Sequence, residues 1–265
     1  MRTLAFLRKM KLRDFFKQCN KKLRRLLNGT GYTCDYCGAE VFSYPKERLC
    51  LACEGKLQRN QEESCIKCGR KTVTAGVCMT CKGALPSFTR GFSPFVYRGE
   101  AASLVNRMKN SVPRLSAYLG EQMAEYFLQK TEDKLRLMQA PLLVLPVPMT
   151  KNKERERGYN QALLLCEAFC ERLQKKGVET ELSEDVLIKK KETAAQKHAT
   201  AKERRKNVKG AFFLRKRKIF QGRIVVLIDD ILTTGATASE CAERLFGAKA
   251  QEVLLLVAAA LPERK

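Results

Sequence analysis

The stretch Val225 to Thr237, VVLIDDILTTGAT, constrains this chain more than any other part of it. Val225, Val226, Leu227 and Ile228 form an unbroken apolar run rich in β-branched side chains, the pattern of a strand buried on both faces of a parallel sheet. Asp229 and Asp230 follow directly and so stand at the strand's carboxyl end, the edge at which open α/β sheets bind ligands. Thr233, Thr234, Gly235, Ala236 and Thr237 then make a small, hydroxyl-bearing turn into a helix-like stretch, Ala238 to Leu245. Backbone N–H groups and hydroxyls beside the positive end of a helix dipole suit a phosphate monoester. Two carboxylates placed before them suit vicinal hydroxyls on a ring joined to that phosphate. The ligand these residues point to is a sugar phosphate, its diol held by the acids and its phosphate by the loop. The plainer account is a buried strand capped by acids, but helix entry needs only one capping side chain. A receiver-type phosphoacceptor site would not need the Thr-Thr-Gly loop, and no GxxxxGK[ST] segment supports a nucleotide-triphosphate P-loop.

In order, spacing and residue type, Val225 to Thr237 resembles the signature of type I phosphoribosyltransferases, which bind phosphoribosyl pyrophosphate (PRPP). The resemblance implies an α/β fold with a parallel sheet flanked by helices. It also implies that Asp229 and Asp230 are the acids of the reaction centre and that PRPP brings Mg²⁺.

A chain of 265 residues holds one such domain plus a smaller module, and 45% apolar residues is enough for a core. The net charge of +23 exceeds what one PRPP requires. It points to a polyanion, nucleic acid before an acidic membrane surface, with a merely solubilising surface as the bland alternative. The start, MRTLAFLRKMKLRDFF, has too short an apolar core for a secretory signal, and no run approaches the length that spans a bilayer. The expectation is a cytoplasmic protein, where thiols stay reduced and bind metal.

Of twelve cysteines, eight form four CxxC pairs: Cys34/Cys37, Cys50/Cys53, Cys65/Cys68 and Cys78/Cys81. Two adjacent pairs make a tetrahedral thiolate set for zinc. The first and third pairs are each followed by glycine, Gly38 and Gly69, so the segment reads as a duplication. That favours two sequential sets and leaves cross-bracing open. A closed four-thiolate shell has no position for substrate, so both zinc ions are structural, stapling a segment too short for a core.

The expected organisation is a basic amphipathic helix over residues 1–30, a double zinc ribbon over 31–85 and a sheet domain over 90–265. The helix sets Leu12, Phe15, Phe16, Cys19, Leu23, Leu26 and Leu27 on one face, to lie on an anionic membrane or to pack on its own protein. Pro86 to Pro94 reads as a linker, and Leu142 to Val147 as a second buried strand. After that strand a loop carries Lys151, Lys153, Arg155 and Arg157, cations suited to the growing charge of a departing pyrophosphate, and Asn160 is placed to cap the next helix. Between strands at 186–188 and 211–214 lies a basic excursion with Arg204, Arg205 and Lys206. It suits either a cover over the ligand or a wall that tracks single-stranded nucleic acid. The only histidine, His198, falls in this polar loop and is read as a surface residue, not a base. Glu252 to Ala260 reads as a last buried strand that closes the sheet.

From Cys34 to the carboxyl terminus this order resembles the ComF (ComFC) family of competence-associated proteins, a double zinc ribbon followed by a phosphoribosyltransferase domain. The resemblance rests on the cysteine repeat, the Tyr97/Gly99/Lys109 region, VPMTKNKERERGYNQ, TAAQ…RRKNVKGAF and the Val225 stretch. The family pattern RxRGFNQ stands here as Arg155, Arg157, Gly158, Tyr159, Asn160 and Gln161, with Tyr where Phe is usual. The downstream pattern falls on Thr193, Gln196, Arg204 or Arg205, Asn207, Gly210, Ala211 and Phe212. What the family implies is natural transformation, with imported single-stranded DNA and a ComFA-like helicase as partners. Transferase activity is implied by the fold, with no acceptor attached. The alternative is a catalytically silent module of the same fold that grips DNA and the helicase.

Overall fold

The computed structural model describes residues 33–43, 47–60, 63–136, 138–190 and 201–263. The amphipathic helix expected over residues 1–30 lies outside them, as do Thr193, Gln196 and His198. The chain divides into two compact units, Met1–Cys50 and Leu51–Lys265.

The larger unit opens with two short helices, α1 (Leu51–Glu54) and α2 (Met79–Gly83), then strands β1 (Arg90–Phe92) and β2 (Phe95–Val96) and helices α3 (Gly99–Asn110) and α4 (Leu115–Arg136). Next come β3 (Leu142–Pro146), α5 (Lys151–Arg157), α6 (Gln161–Lys175), β4 (Thr180–Leu182) and β5 (Leu187–Lys189). The order ends α7 (Ala201–Val208), β6 (Phe212–Leu214), β7 (Ile224–Leu232), α8 (Ala236–Phe246) and β8 (Glu252–Ala260). The main sheet runs β1-β8-β7-β3-β4, with β2 also on β8, and every pairing in it is parallel. This is the expected parallel sheet flanked by helices, with a cysteine-rich segment ahead of it.

Strand β8 does not close the sheet as its sequence suggested; it is an interior strand between β7 and β1. The cause is the segment read as a linker. Arg90, Gly91 and Phe92 pair with Leu254, Leu255 and Leu256, covering β8's outer edge. A three-residue strand with a glycine at its centre carries little intrinsic signal and forms because a long buried neighbour offers it a ladder. The same burial explains why β8 reads as a continuous apolar run.

Helix α6 buries Ala162, Leu165, Cys166, Phe169, Cys170 and Leu173, and Asn160 caps it, Oδ1 accepting from Ala162 N at 3.1 Å and Leu163 N at 3.4 Å. Gly120 lets α4 lie close on α6, since a Cβ there would stand 2.5 Å from that of Ala168. Phe92, Phe127 and Phe169 meet edge to face, with centroids 5.5 Å apart at each step. Strands β5 and β6 form a separate antiparallel pair, and α7 between them lies on α8. No helix among the described residues is long and apolar enough to cross a membrane.

This topology positions one crevice. From β3 the chain proceeds to β4 on one side, while β7 lies on the other. The segments that leave the carboxyl ends of β3 and β7 therefore diverge, which is the switch point at which parallel sheets open for ligands.

Candidate functional site

Pairing between β3 and β7 ends at Pro146 opposite Ile228, where Val147 N donates to Ile228 O at 2.8 Å. Pairing between β7 and β8 continues to Leu232 opposite Ala260. Asp229 and Asp230 thus stand just past the end of β3, with that flank of β7 free of a strand. Asp230 is 5% exposed, and its Oδ2 lies 2.9 Å from Nζ of Lys109 at the end of α3. The backbone N–H of Asp230 donates to Asp229 Oδ1 at 2.8 Å. Burial first, and the charge of Asp230 second, push the Asp229 carboxyl up to about 8, with Lys109 and the Asp230 N–H pulling the other way. Asp229 therefore retains a proton near neutrality. Lys109 was marked by the family resemblance without a role, and the structure gives it one beside Asp230. Its only local signal is a lysine in the last turn of a helix, and its partner lies far along the chain. The adjoining Met108 O accepts from Tyr159 Oη at 2.6 Å, which seats the segment after α5 on α3.

Beyond β7 the chain turns at Gly235, whose φ of 77° is the left-handed conformation that a Cβ would strain. Helix α8 begins at once, its N-cap a glycine with no side chain to cap it. Ala236 N donates to Thr234 Oγ1 at a long 3.4 Å, and Ser239 N to Gly235 O at 2.8 Å. The first turn of α8 thus stands at the positive end of its helix dipole, just beyond the carboxyl end of β7. Thr233, Thr234, Gly235 and Thr237 are half-buried and Ala236 is buried. A Cβ on Gly235 would meet Leu232 Cδ1 only at 3.4 Å, so the glycine is not sealed beneath its neighbours.

The cationic segment after β3 is the helix α5, not a loop. KNKERER consists mostly of good helix formers, and Gly158, at φ 80°, stops it with its N–H on Glu154 O at 2.8 Å. Lys151, Lys153 and Arg155 are exposed; Arg157 is half-buried and donates to Gln161 Oε1 at 2.6 Å. On α7, Lys206 is exposed, whereas Arg205 donates to Ala84 O at 3.1 Å. The side chain of Arg204 lies outside the described ones.

The eight cysteines gather as two sequential sets, Cys34/Cys37/Cys50/Cys53 and Cys65/Cys68/Cys78/Cys81. In each set the sulfurs all lie within 4.8 Å of one another. The turns that begin them match: Cys37 N points to Cys34 Sγ at 3.5 Å and Cys68 N to Cys65 Sγ at 3.5 Å. In the second set Cys68 is drawn down to about 5, first by its contact with Cys81 and, against burial, by Arg70. Burial pushes Cys78 up to about 11, and contact with Cys68 also raises Cys81. Four sulfurs this close cannot all ionise without a cation among them, and a tetrahedral divalent ion meets that need. Both sets fit zinc, which would act as a structural staple there.

No protein-family model matches the chain. It is 27% identical to competence protein F of Haemophilus influenzae over 224 residues, 83% of this chain and 93% of that relative. It is 26% identical to DNA utilization protein YhgH of Escherichia coli over 213 residues, 78% and 89% of the two chains. Competence protein ComFC of Bacillus subtilis matches at 25% over 207 residues, 73% and 75%. Among solved structures, hypoxanthine phosphoribosyltransferase of Trypanosoma cruzi superposes on 54% of this chain and 63% of its own, at 15% identity and a TM-score of 0.35. The hypoxanthine-guanine enzyme of Leishmania donovani covers 57% and 80%, at 10% identity and a TM-score of 0.36. These superpositions are loose, and the fold described above rests on its own strand pairings. Over most of its length this chain is a homologue of the competence F, ComFC and YhgH proteins, as its cysteine repeat and the segments around Gly158 and Asp229 imply.

Proposed function

We propose that this protein binds PRPP at the carboxyl edge of β7 and works in the handling of DNA taken up by the cell. One observation carries the reading: two acids stand past the end of β3 on β7, and the next turn runs into a helix whose N-cap is a glycine. In this reading the 5′-phosphate takes the first-turn N–H groups of α8 and the hydroxyls of Thr233, Thr234 and Thr237. The ribose hydroxyls meet Asp229 and Asp230, and a protonated Asp229 can donate to one of them. Lys151, Lys153, Arg155 and Arg157 face the pyrophosphate, where cations answer the charge that grows as its bond to the anomeric carbon opens. Hard carboxylate oxygens suit the Mg²⁺ that accompanies PRPP. Strands β5 and β6 with α7 are the natural cover for the crevice. Calorimetry with Mg²⁺-PRPP tests this. The protein should bind, and Asp229→Asn with Asp230→Asn should abolish binding; affinity unchanged in that double variant refutes the site.

The charge of +23 supports a second element, single-stranded DNA, with a ComFA-like helicase as protein partner. The names competence protein and DNA utilization protein, borne by the relatives, point the same way. A form without turnover, sensing PRPP while gripping DNA, fits this element equally. Affinity for a single-stranded oligonucleotide should fall steeply with salt, by about 0.7 in the logarithmic slope for each phosphate neutralised. Substituting Arg204 and Lys206 should flatten that slope, whereas Arg205→Ala should act mainly through its lost contact with Ala84. Binding that ignores salt, or is absent at low ionic strength, would dismiss DNA as a ligand.

A further inference from the structure

The two copies of the cysteine turn share a backbone. Cys34 N donates to Ala39 O at 2.7 Å, and Cys65 N to Arg70 O at 2.8 Å. Gly38 N donates to Cys34 O at 2.9 Å, and Gly69 N to Cys65 O at 2.8 Å. The bridges Thr33–Glu40 and Ser64–Lys71 flank them alike. At the matching position the first copy has Ala39 and the second Arg70. Arg70 is 5% exposed. Its Nε donates to Cys68 Sγ at 3.3 Å, and its Nη2 to Thr233 O, the first residue of the loop beyond β7, at 2.6 Å. One guanidinium therefore joins a sulfur of the second cysteine set to the loop that enters α8.

The joint is rigid. A Cβ on Gly69 would lie 2.4 Å from Gly91 O and one on Gly91 2.6 Å from Cys68 O, so the turn and β1 lie backbone against backbone. Gly91 N donates to Lys67 O at 2.8 Å, and Glu263, just past β8, takes Met79 N at 2.6 Å and gives its own N–H to Lys71 O at 2.9 Å. The four sulfurs share one core with Phe88, Leu232 and Ala236. Four thiolates carry more negative charge than one divalent ion cancels, and the fixed fork of Arg70 answers the excess while its other arm holds Thr233.

We propose that Arg70 is a positioning residue that couples metal occupancy of the second cysteine set to anion binding in the Thr233–Thr237 loop. This rests on the PRPP reading of that loop. Coupling is reciprocal: metal in the second set should tighten PRPP binding, and PRPP should hold that metal more firmly. The first set, with Ala39 in place of the arginine, should show neither effect.

Two measurements test it. In calorimetry Arg70→Ala should weaken Mg²⁺-PRPP about tenfold, inside the usual range of coupling between sites. Arg70→Lys should stay weak, because a single ammonium cannot span both acceptors. In the unaltered protein, release of zinc to a metallochromic chelator should show two phases. PRPP should slow one severalfold, the phase that survives in a Cys37→Ser, Cys50→Ser variant. If Arg70→Ala binds PRPP as the parent does, or if saturating PRPP leaves both phases unchanged, the coupling is refuted while PRPP binding stands. If the unaltered protein takes no PRPP, the reading of the loop fails and the coupling with it. Should Arg70→Ala not fold, the release measurement on the unaltered protein decides alone.

Discussion

The two cysteine sets are built from one repeated turn and live in different surroundings. In the first, Cys37 is exposed and Cys50 half-buried, and Cys34 is held down to about 7 although burial opposes it, because the backbone N–H groups of Cys37, Cys50 and Tyr36 face its sulfur. In the second, all four cysteines are 1–3% exposed and belong to the core of the sheet unit. The local motif specifies a metal site in both. What it does for the rest of the molecule depends on what is packed outside it: the first set, with Cys34 and Cys53 buried, ties the Cys34 turn to the segment carrying Cys50 and Cys53, and the second backs β1 and the loop that begins at Thr233.

The comparison breaks most visibly at the ligands. Cys68→Ser with Cys81→Ser should cost the Leu51–Lys265 unit about 5 kcal/mol, on the order of 10–20 °C in melting midpoint for a unit of this size. Cys37→Ser with Cys50→Ser should remove one zinc per chain and move the same transition by no more than about 2 °C. Circular dichroism melts with metal content measured in parallel decide it; equal losses would make the two sets equivalent. The glycines after the first and third pairs sharpen the contrast. Gly38 and Gly69 have φ of 80° and 72°, so alanine strains either by about 1 kcal/mol. Around Gly38 a Cβ meets nothing within 4 Å, while at Gly69 it meets the carbonyl of Gly91, which cannot swing away. Gly69→Ala should therefore cost about 3 kcal/mol and Gly38→Ala about 1, measured by urea unfolding.

How much of this was legible in the chain follows from how local each feature is. Strand β7, its acids and the Gly235 turn sit in thirteen consecutive residues, so burial pattern, chemistry and backbone requirement could be read together. The Asn160 cap was legible for the same reason. The cysteine pairing was narrowed by the repeat and settled only by the gathered sulfurs. Arg70 was not legible as a member of the site, and Lys109 was legible only through the family resemblance, without its partner, since Lys109 meets Asp230 and Arg70 meets Thr233 only once the sheet is assembled. Strands β1 and β4, three residues each, carry too little pattern to stand out and exist through their ladders. Helix α5 was hidden because lysines, arginines and glutamates after a strand look alike in a loop and in an exposed helix.

A pH-dependent effect concerns the carboxyl end of β7. An ordinary aspartate titrates near 3.8, and Asp229 is pushed up to about 8 by burial and by Asp230. Between those values the folded protein keeps a proton that the unfolded chain has lost, so this group favours folding least at high pH. Its penalty is absent below about pH 4, grows as the pH rises, and is complete above about pH 8. Asp229→Asn removes it and should stabilise the larger unit at pH 8 by about 2 kcal/mol, a discounted figure because Asp229 keeps some exposure. The difference between variant and parent matters here, since with a net charge of +23 self-repulsion also changes with pH. Plotted as the gap between their melting midpoints, the effect should be near zero at pH 4 and open steadily to pH 8. It should survive intact when the first cysteine set is emptied and shrink when Arg70 is removed, because Arg70 holds Thr233 O at the carboxyl end of the strand that carries Asp229. A gap that is flat with pH would mean that Asp229 is ionised in the fold. A gap that shrinks equally on emptying the first set would mean that the two sets are not the different devices their surroundings indicate.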